Sequence, residues 1–145
     1  MTQEAAKKER VAKVIEVLNK ARSMELYAVH QYMNQHYNLD DLDYGEFASK
    51  IKLIAIDEMR HAEQFAERIK ELDGEPNSEL SSKITKGQKV MDVFPFNVKV
   101  EDDTIETYNK LLETCRTNGD SVSARLFERI LDEEQVHDNY FCNMA

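Results

Sequence analysis

The chain has 145 residues, 41% of them hydrophobic, with only four Gly and two Pro, as expected of one mostly helical domain large enough to bury a core. A net charge of −9 without any basic run excludes non-specific binding to nucleic-acid phosphates. No run of about 18 apolar residues offers a membrane span, and the polar start Met1-Thr2-Gln3-Glu4 lacks a signal-peptide core. Cys115 and Cys142 have neither metal-knuckle spacing nor a disulfide framework, so both read as reduced thiols in a cytoplasmic protein, Cys115 in the core.

The first helix is expected from about Glu4 to Tyr37, with an apolar stripe through Val11, Val14/Ile15, Leu18, Ala21, Ala28/Val29 and Tyr32. One inner slot of that stripe is occupied by Glu25. A polar turn over 38–43 follows, and Asp43 with Glu46 reads as a capping box. The second helix, about Tyr44 to Leu72, turns Phe47, Ile51, Ile54, Glu58, His61, Phe65, Ile69 and Leu72 inward; Gly74 and Pro76 stop it.

Periodicity is lost from Glu75 to about Val100, where Gly87 and Pro95 mark a connection too long for a hairpin and long enough to travel the length of a bundle. The third helix is expected from about Lys99 to Asn118, with Ile105, Tyr108, Leu112 and Cys115 inward. Projected back one turn, its stripe lands on Glu101, where a carboxylate at the helix start could also simply favour the dipole. Gly119 breaks the chain, Asp120 or Ser121 caps the fourth helix, and Leu126/Phe127, Ile130, Glu134, His137 and Phe141 share one side of it. The expectation is an all-α, single-domain four-helix bundle over 1–145, with one long crossover between the second and third helices and a pseudo-repeated helical hairpin.

Two segments, Glu58-Met59-Arg60-His61 and Glu134-Gln135-Val136-His137, each hold Glu-x-x-His. Residues three apart lie only about 60° apart around a helix, so each segment projects a carboxylate and an imidazole side by side. One such residue on an inner stripe usually means a slightly misread stripe. Four acids (Glu25, Glu58, Glu101, Glu134) and two imidazoles (His61, His137) on the inner stripes of all four helices mean something else. No Lys or Arg shares those positions, and isolated buried carboxylates are strongly disfavoured. Two divalent cations would balance the four acids, and oxygen with imidazole suits iron or manganese, with zinc also able to bind. Symmetry then lets Glu58 and Glu134 bridge both ions, Glu25 and His61 completing one and Glu101 and His137 the other.

A Glu from each of two helices plus Glu-x-x-His from each of the other two is the ligand pattern of ferritin-like di-iron proteins. The segments Met24-Glu25-Leu26-Tyr27-Ala28-Val29-His30-Gln31-Tyr32, Ile56-Asp57-Glu58-Met59-Arg60-His61-Ala62-Glu63 and Ala124-Arg125-Leu126-Phe127-Glu128-Arg129-Ile130, leading into Glu134 and His137, resemble bacterioferritin from about Lys13 to Tyr140. That resemblance implies a ferritin-like fold and a ferroxidase that oxidises Fe(II) with dioxygen or hydrogen peroxide and stores Fe(III) mineral in a twenty-four-subunit cage. It implies the same six residues as ligands. Tyr32, two turns beyond Glu25, reads either as an electron donor beside the centre or as a core tyrosine. Met59 points to the flank of the bundle and is by default a packing residue at a subunit contact; the resemblance makes it the axial ligand of a haem shared by two subunits, with a ferredoxin-type reductant for iron release.

The family pattern continues into a fifth short helix, whereas this sequence ends at Ala145, which bears on the cage and leaves the di-iron centre untouched. A rubrerythrin-like peroxide reductase, or a haem-carrying helical dimer without storage, are the competing readings. The first is weakened by the lack of Cys-x-x-Cys knuckles. A DNA-protecting mini-ferritin fits least with the acidic charge and an intrasubunit ligand set.

Overall fold

In a computed structural model, which describes residues 2–145, the chain forms four helices: α1 (Gln3–Asp41), α2 (Gly45–Glu71), α3 (Val90–Thr117) and α4 (Ser121–Met144). Among the described residues no helix is long and apolar enough to cross a membrane. α1 packs most extensively on α2 and α3 on α4, while α1 also packs on α3. Two helical hairpins thus face one another, as the pseudo-repeat implied.

Three of the helices end the same way. After α1, Tyr44 N–H donates to Leu39 O at 2.9 Å and Asp43 N–H to Asp40 O at 3.2 Å. After α2, Gly74 donates to Ile69 at 2.8 Å and Asp73 to Lys70 at 3.0 Å; after α3, Asp120 donates to Cys115 at 2.9 Å and Gly119 to Arg116 at 3.0 Å. Each is a Schellman closure, which satisfies the last carbonyls by turning one residue left-handed: Asp43 (φ 67), Asp73 (φ 65) and Gly119 (φ 75). Asp43 therefore terminates α1 and does not cap α2, whose N-cap is Tyr44 without a side-chain bond. Likewise the left-handed residue after α2 is Asp73. Gly74 is small for a different reason: a Cβ there would sit 2.9 Å from the Ile15 and Ile69 methyls.

The third helix starts nine residues earlier than the sequence suggests, at Val90, and carries Pro95 inside it. As the sixth residue of α3, Pro95 forfeits the hydrogen bond its N–H would have made to the Met91 carbonyl and its ring crowds that carbonyl, a local cost that the buried Val93 and Phe94 beside it offset. The apolar anchors Val93 and Phe94 then extend the inner stripe back from Glu101. Glu101 accordingly lies about three turns inside α3, so attraction to the helix dipole does not explain it.

The crossover over 72–89 runs along α1. Asn77 N–H donates to Asn19 Oδ1 at 2.9 Å, Ser81 N–H to Ser23 O at 3.1 Å and Thr85 N–H to Gln31 Oε1 at 2.8 Å, and Gln35 Nε2 donates to Gln88 Oε1 at 2.8 Å. Successive contacts advance along α1, so the segment crosses the bundle and α3 sets out parallel to α2. The core falls into two apolar clusters, one around Leu18, Phe65 and Phe127 and one around Ile51, Phe94 and Phe141. Burying each such side chain stabilises the fold by about 1.5–3 kcal/mol. Between these clusters lies a polar layer.

Candidate metal centre

The six acidic and imidazole residues of the inner stripes form that layer. Glu25 is 1% exposed, Glu58 1%, His61 1%, Glu101 0%, Glu134 0% and His137 4%. α1 and α3 each contribute one glutamate; α2 and α4 each contribute a glutamate and, one turn on, a histidine. Their ligand atoms fall into two groups, Glu25–Glu58–His61–Glu134 and Glu58–Glu101–Glu134–His137, each with all its atoms within 4.8 Å of one another. Glu58 and Glu134 are common to both.

Around His61 Nδ1 stand Glu134 Oε1 at 2.8 Å, Glu58 Oε1 at 3.3 Å and Glu25 Oε2 at 3.4 Å. Around His137 Nδ1 stand Glu58 Oε1 at 3.3 Å, Glu134 Oε2 at 3.7 Å and Glu101 Oε1 at 3.9 Å. A single N–H satisfies one acceptor, so three converging oxygens describe a cation's shell better than a hydrogen bond. The other ring nitrogens are held from outside: His61 Nε2 lies 3.0 Å from Glu133 Oε2, and His137 Nε2 lies 3.0 Å from Asp57 Oδ2. A carboxylate on the far nitrogen of an imidazole orients its near nitrogen for a metal.

Five buried atoms here have no hydrogen-bond partner: Glu25 Oε2, Glu58 Oε1, Glu101 Oε2, Glu134 Oε2 and His137 Nδ1. Among the described residues only Asn77 Oδ1 shares that condition elsewhere. No lysine or arginine pairs with any of the four glutamates among the described residues. Buried carboxylates left so would cost several kcal/mol, so the residues fit two divalent cations.

The electrostatics of the protein alone agree. Burial and then the charge of Glu134 push Glu25 up to about 8, and the same causes hold Glu58 and Glu101 well above the usual carboxylate range. Burial acts against ionised Glu134 too, but the proton-bearing groups crowded around it, Glu101, His137, His61 and Glu58, outweigh burial and keep its pKa well below the ordinary value. Burial lowers and Glu134 raises His137, with a net rise to about 9; His61 rises further for the same reason. Without a cation these shifts favour retained protons on Glu25, Glu58 and Glu101, which a bound divalent cation would displace.

Tyr32 Oη donates to Glu101 Oε1 at 2.5 Å. Tyr108, which the sequence offered only as a core position, donates to Glu25 Oε1 at 2.8 Å. The signal was present: Tyr108 follows Glu101 by seven residues, as Tyr32 follows Glu25. Asp57 and Glu133 were also missed, although each immediately precedes a shared glutamate. Met59 lies apart from the cluster on the flank of α2, 52% exposed.

A family model of the ferritin-like domain matches residues 15–144. The bacterioferritin of Desulfovibrio desulfuricans is 60% identical over 139 residues, covering 96% of this chain and 78% of that protein. That of Brucella melitensis is 38% identical over 125 residues, covering 86% and 78%. Among solved structures, the Desulfovibrio desulfuricans bacterioferritin, described with its di-iron site in different catalytic states, superposes with a TM-score of 0.94 at 60% identity over 95% of this chain and 81% of that one. Mycobacterium tuberculosis bacterioferritin does so with a TM-score of 0.86 at 31% identity, covering 90% and 82%. With the buried cluster, the bundle and these relatives in agreement, the chain belongs to the bacterioferritins of the ferritin family.

Proposed function

We propose that this protein is a ferroxidase serving iron storage and detoxification, taking two Fe(II) ions per chain as substrate and releasing Fe(III). The observation that carries this is the set of five unpartnered buried ligand atoms, divided between two groups that share Glu58 and Glu134. Glu25 and His61 would hold one ion, Glu101 and His137 the other, and Glu58 and Glu134 would span both. Two adjacent ions can each surrender one electron to dioxygen or hydrogen peroxide. The chain's own residues fix the ions, exclude bulk water and give up protons as the ions enter.

Tyr32 is assigned as an electron donor beside the centre. Its support is the hydrogen bond to Glu101, which gives the phenolic proton an acceptor when the electron leaves. Met59 is assigned as a haem ligand, supported by its exposed thioether on the flank of α2, where a second copy could supply the other. The working assembly is accordingly at least a dimer, the family's cage of twenty-four being its full form, in the cytoplasm, with a ferredoxin-type reductant returning stored iron.

Metal-free protein loaded with Fe(II) under nitrogen and then exposed to air should show a fast near-ultraviolet rise that saturates at about two irons per chain. Glu134→Ala should remove the fast phase; its persistence would place the chemistry elsewhere. Met59→Leu should bleach the visible haem bands while leaving that phase intact.

A further inference from the structure

The two halves of the metal centre are related by a pseudo-two-fold that extends to the tyrosines. Tyr32 of α1 donates to Glu101 of α3, and Tyr108 of α3 donates to Glu25 of α1. Both rings are 0% exposed, so neither hydroxyl has water to fall back on. In one respect the symmetry fails. Tyr108 Oη also lies 3.1 Å from the carbonyl oxygen of Ala21, one turn before Glu25 on the same helix. Among the described residues Glu101 is the one acceptor of Tyr32.

A phenol carries one proton and can serve one acceptor at a time. Tyr108 can therefore pass its hydrogen bond from Glu25 Oε1 to Ala21 O by turning its O–H, with no heavy atom displaced and no donor left unsatisfied. Tyr32 has no such exchange, and letting go of Glu101 would strand a buried hydroxyl. While Tyr108 holds Oε1, Glu25 presents Oε2, which has no partner, toward His61 and the shared glutamates. When Tyr108 turns to Ala21, both oxygens of Glu25 become free.

Resting on the two-cation reading above, we infer that Tyr108 is a positioning residue that makes Glu25 the movable carboxylate and Glu101 the fixed one, so that the two divalent-cation positions are unequal. The Glu101–His137 position keeps a one-oxygen terminal carboxylate. The Glu25–His61 position changes between one and two, and is the position at which an ion is taken up and let go.

The test uses Co(II) added anaerobically to the full metal-free chain, with binding followed by calorimetry and the visible d–d bands. Wild type should take up two cobalts per chain with distinct affinities and bands. Tyr108→Phe keeps the ring that packs on Phe65 and Phe127, at 5.8 Å and 5.4 Å between centroids, so the fold should persist, as far-ultraviolet circular dichroism will report. It should shift the affinity of one cobalt about tenfold, the scale of one hydrogen bond to a charged group, and leave the other unchanged. The same cobalt's band should change intensity, because Glu25 is no longer held to one oxygen. Tyr32→Phe should alter the other cobalt and its band. Superimposable curves and spectra for Tyr108→Phe and wild type overturn the inference, as does an equal change in the affinity of both cobalts. A wild type that binds fewer than two cobalts overturns the two-cation reading itself.

Discussion

At the residue scale the decisive fact is that carboxylates sit in slots a bundle reserves for leucine. Glu25 takes its place between Ala21 and Ala28 as a leucine would, and with no cation its burial holds it protonated up to about pH 8. This has a sign that can be measured. Between the ordinary carboxylate range and about 8, native Glu25 keeps a proton that the unfolded chain has lost, so stability falls as pH rises. His137 acts the same way, contributing stability below its unfolded value of 6.5 and losing it toward about 9. The melting temperature of metal-free protein should thus drop by several degrees from pH 6 to 9, and loading with divalent cations should flatten the slope. Replacing Glu101 by Gln should lower cation affinity while leaving the metal-free protein at least as stable above pH 7, because a neutral amide removes a buried acid.

Most of this site was legible from spacing alone, since a polar residue interrupting a stripe at one level of each helix is visible in the sequence. Tyr108, Asp57 and Glu133 were harder to see because each obeys its own helix's pattern. Tyr108 occupies a proper core slot, and Asp57 and Glu133 are partly solvent-facing acids like many others. What distinguishes them is their partner on another helix, and that information lies between segments.

At the scale of elements, helix interiors followed their periodicity while two of the helix starts, those of α2 and α3, used other chemistry than the sequence suggests. Asp43 followed by Glu46 has the spacing of a capping box, yet the chain uses Asp43 to close α1 in the left-handed region. The two roles predict opposite outcomes for one substitution. Asp43→Gly should be neutral or stabilising by up to about 1 kcal/mol in a denaturant melt, because glycine adopts that φ without steric strain. Loss of a cap to glycine would instead destabilise, by a few tenths of a kcal/mol. Asp120 does form the cap that its position before α4 suggests. It accepts from Ser123 N–H at 2.8 Å and pairs with Arg68 at 3.0 Å, so Asp120→Ala should lower stability by about 1–2 kcal/mol. Pro95 reads as a loop marker because proline inside a helix costs a hydrogen bond and crowds the preceding turn, yet α3 carries it in its second turn, where Val93 and Phe94 are buried in the core.

At the scale of the whole molecule, the bundle holds a polar layer apart from water between two apolar clusters, and the crossover lets α2 and α3 run parallel so that two similar hairpins close around it. The fold class was readable because four stripes, two short links and one long one leave few arrangements. The route of the crossover was not readable, since Asn19, Gln31 and Gln35 look like surface residues until Asn77, Thr85 and Gln88 lie against them. The central claim is that paired cations are what make those buried acids tolerable. Crystals of the protein soaked in Fe(II) under nitrogen, with diffraction recorded at the iron edge, test it directly. Two anomalous peaks per chain are expected, one within Glu25–Glu58–His61–Glu134 and one within Glu58–Glu101–Glu134–His137; an absence of iron density between Glu58 and Glu134 contradicts the account.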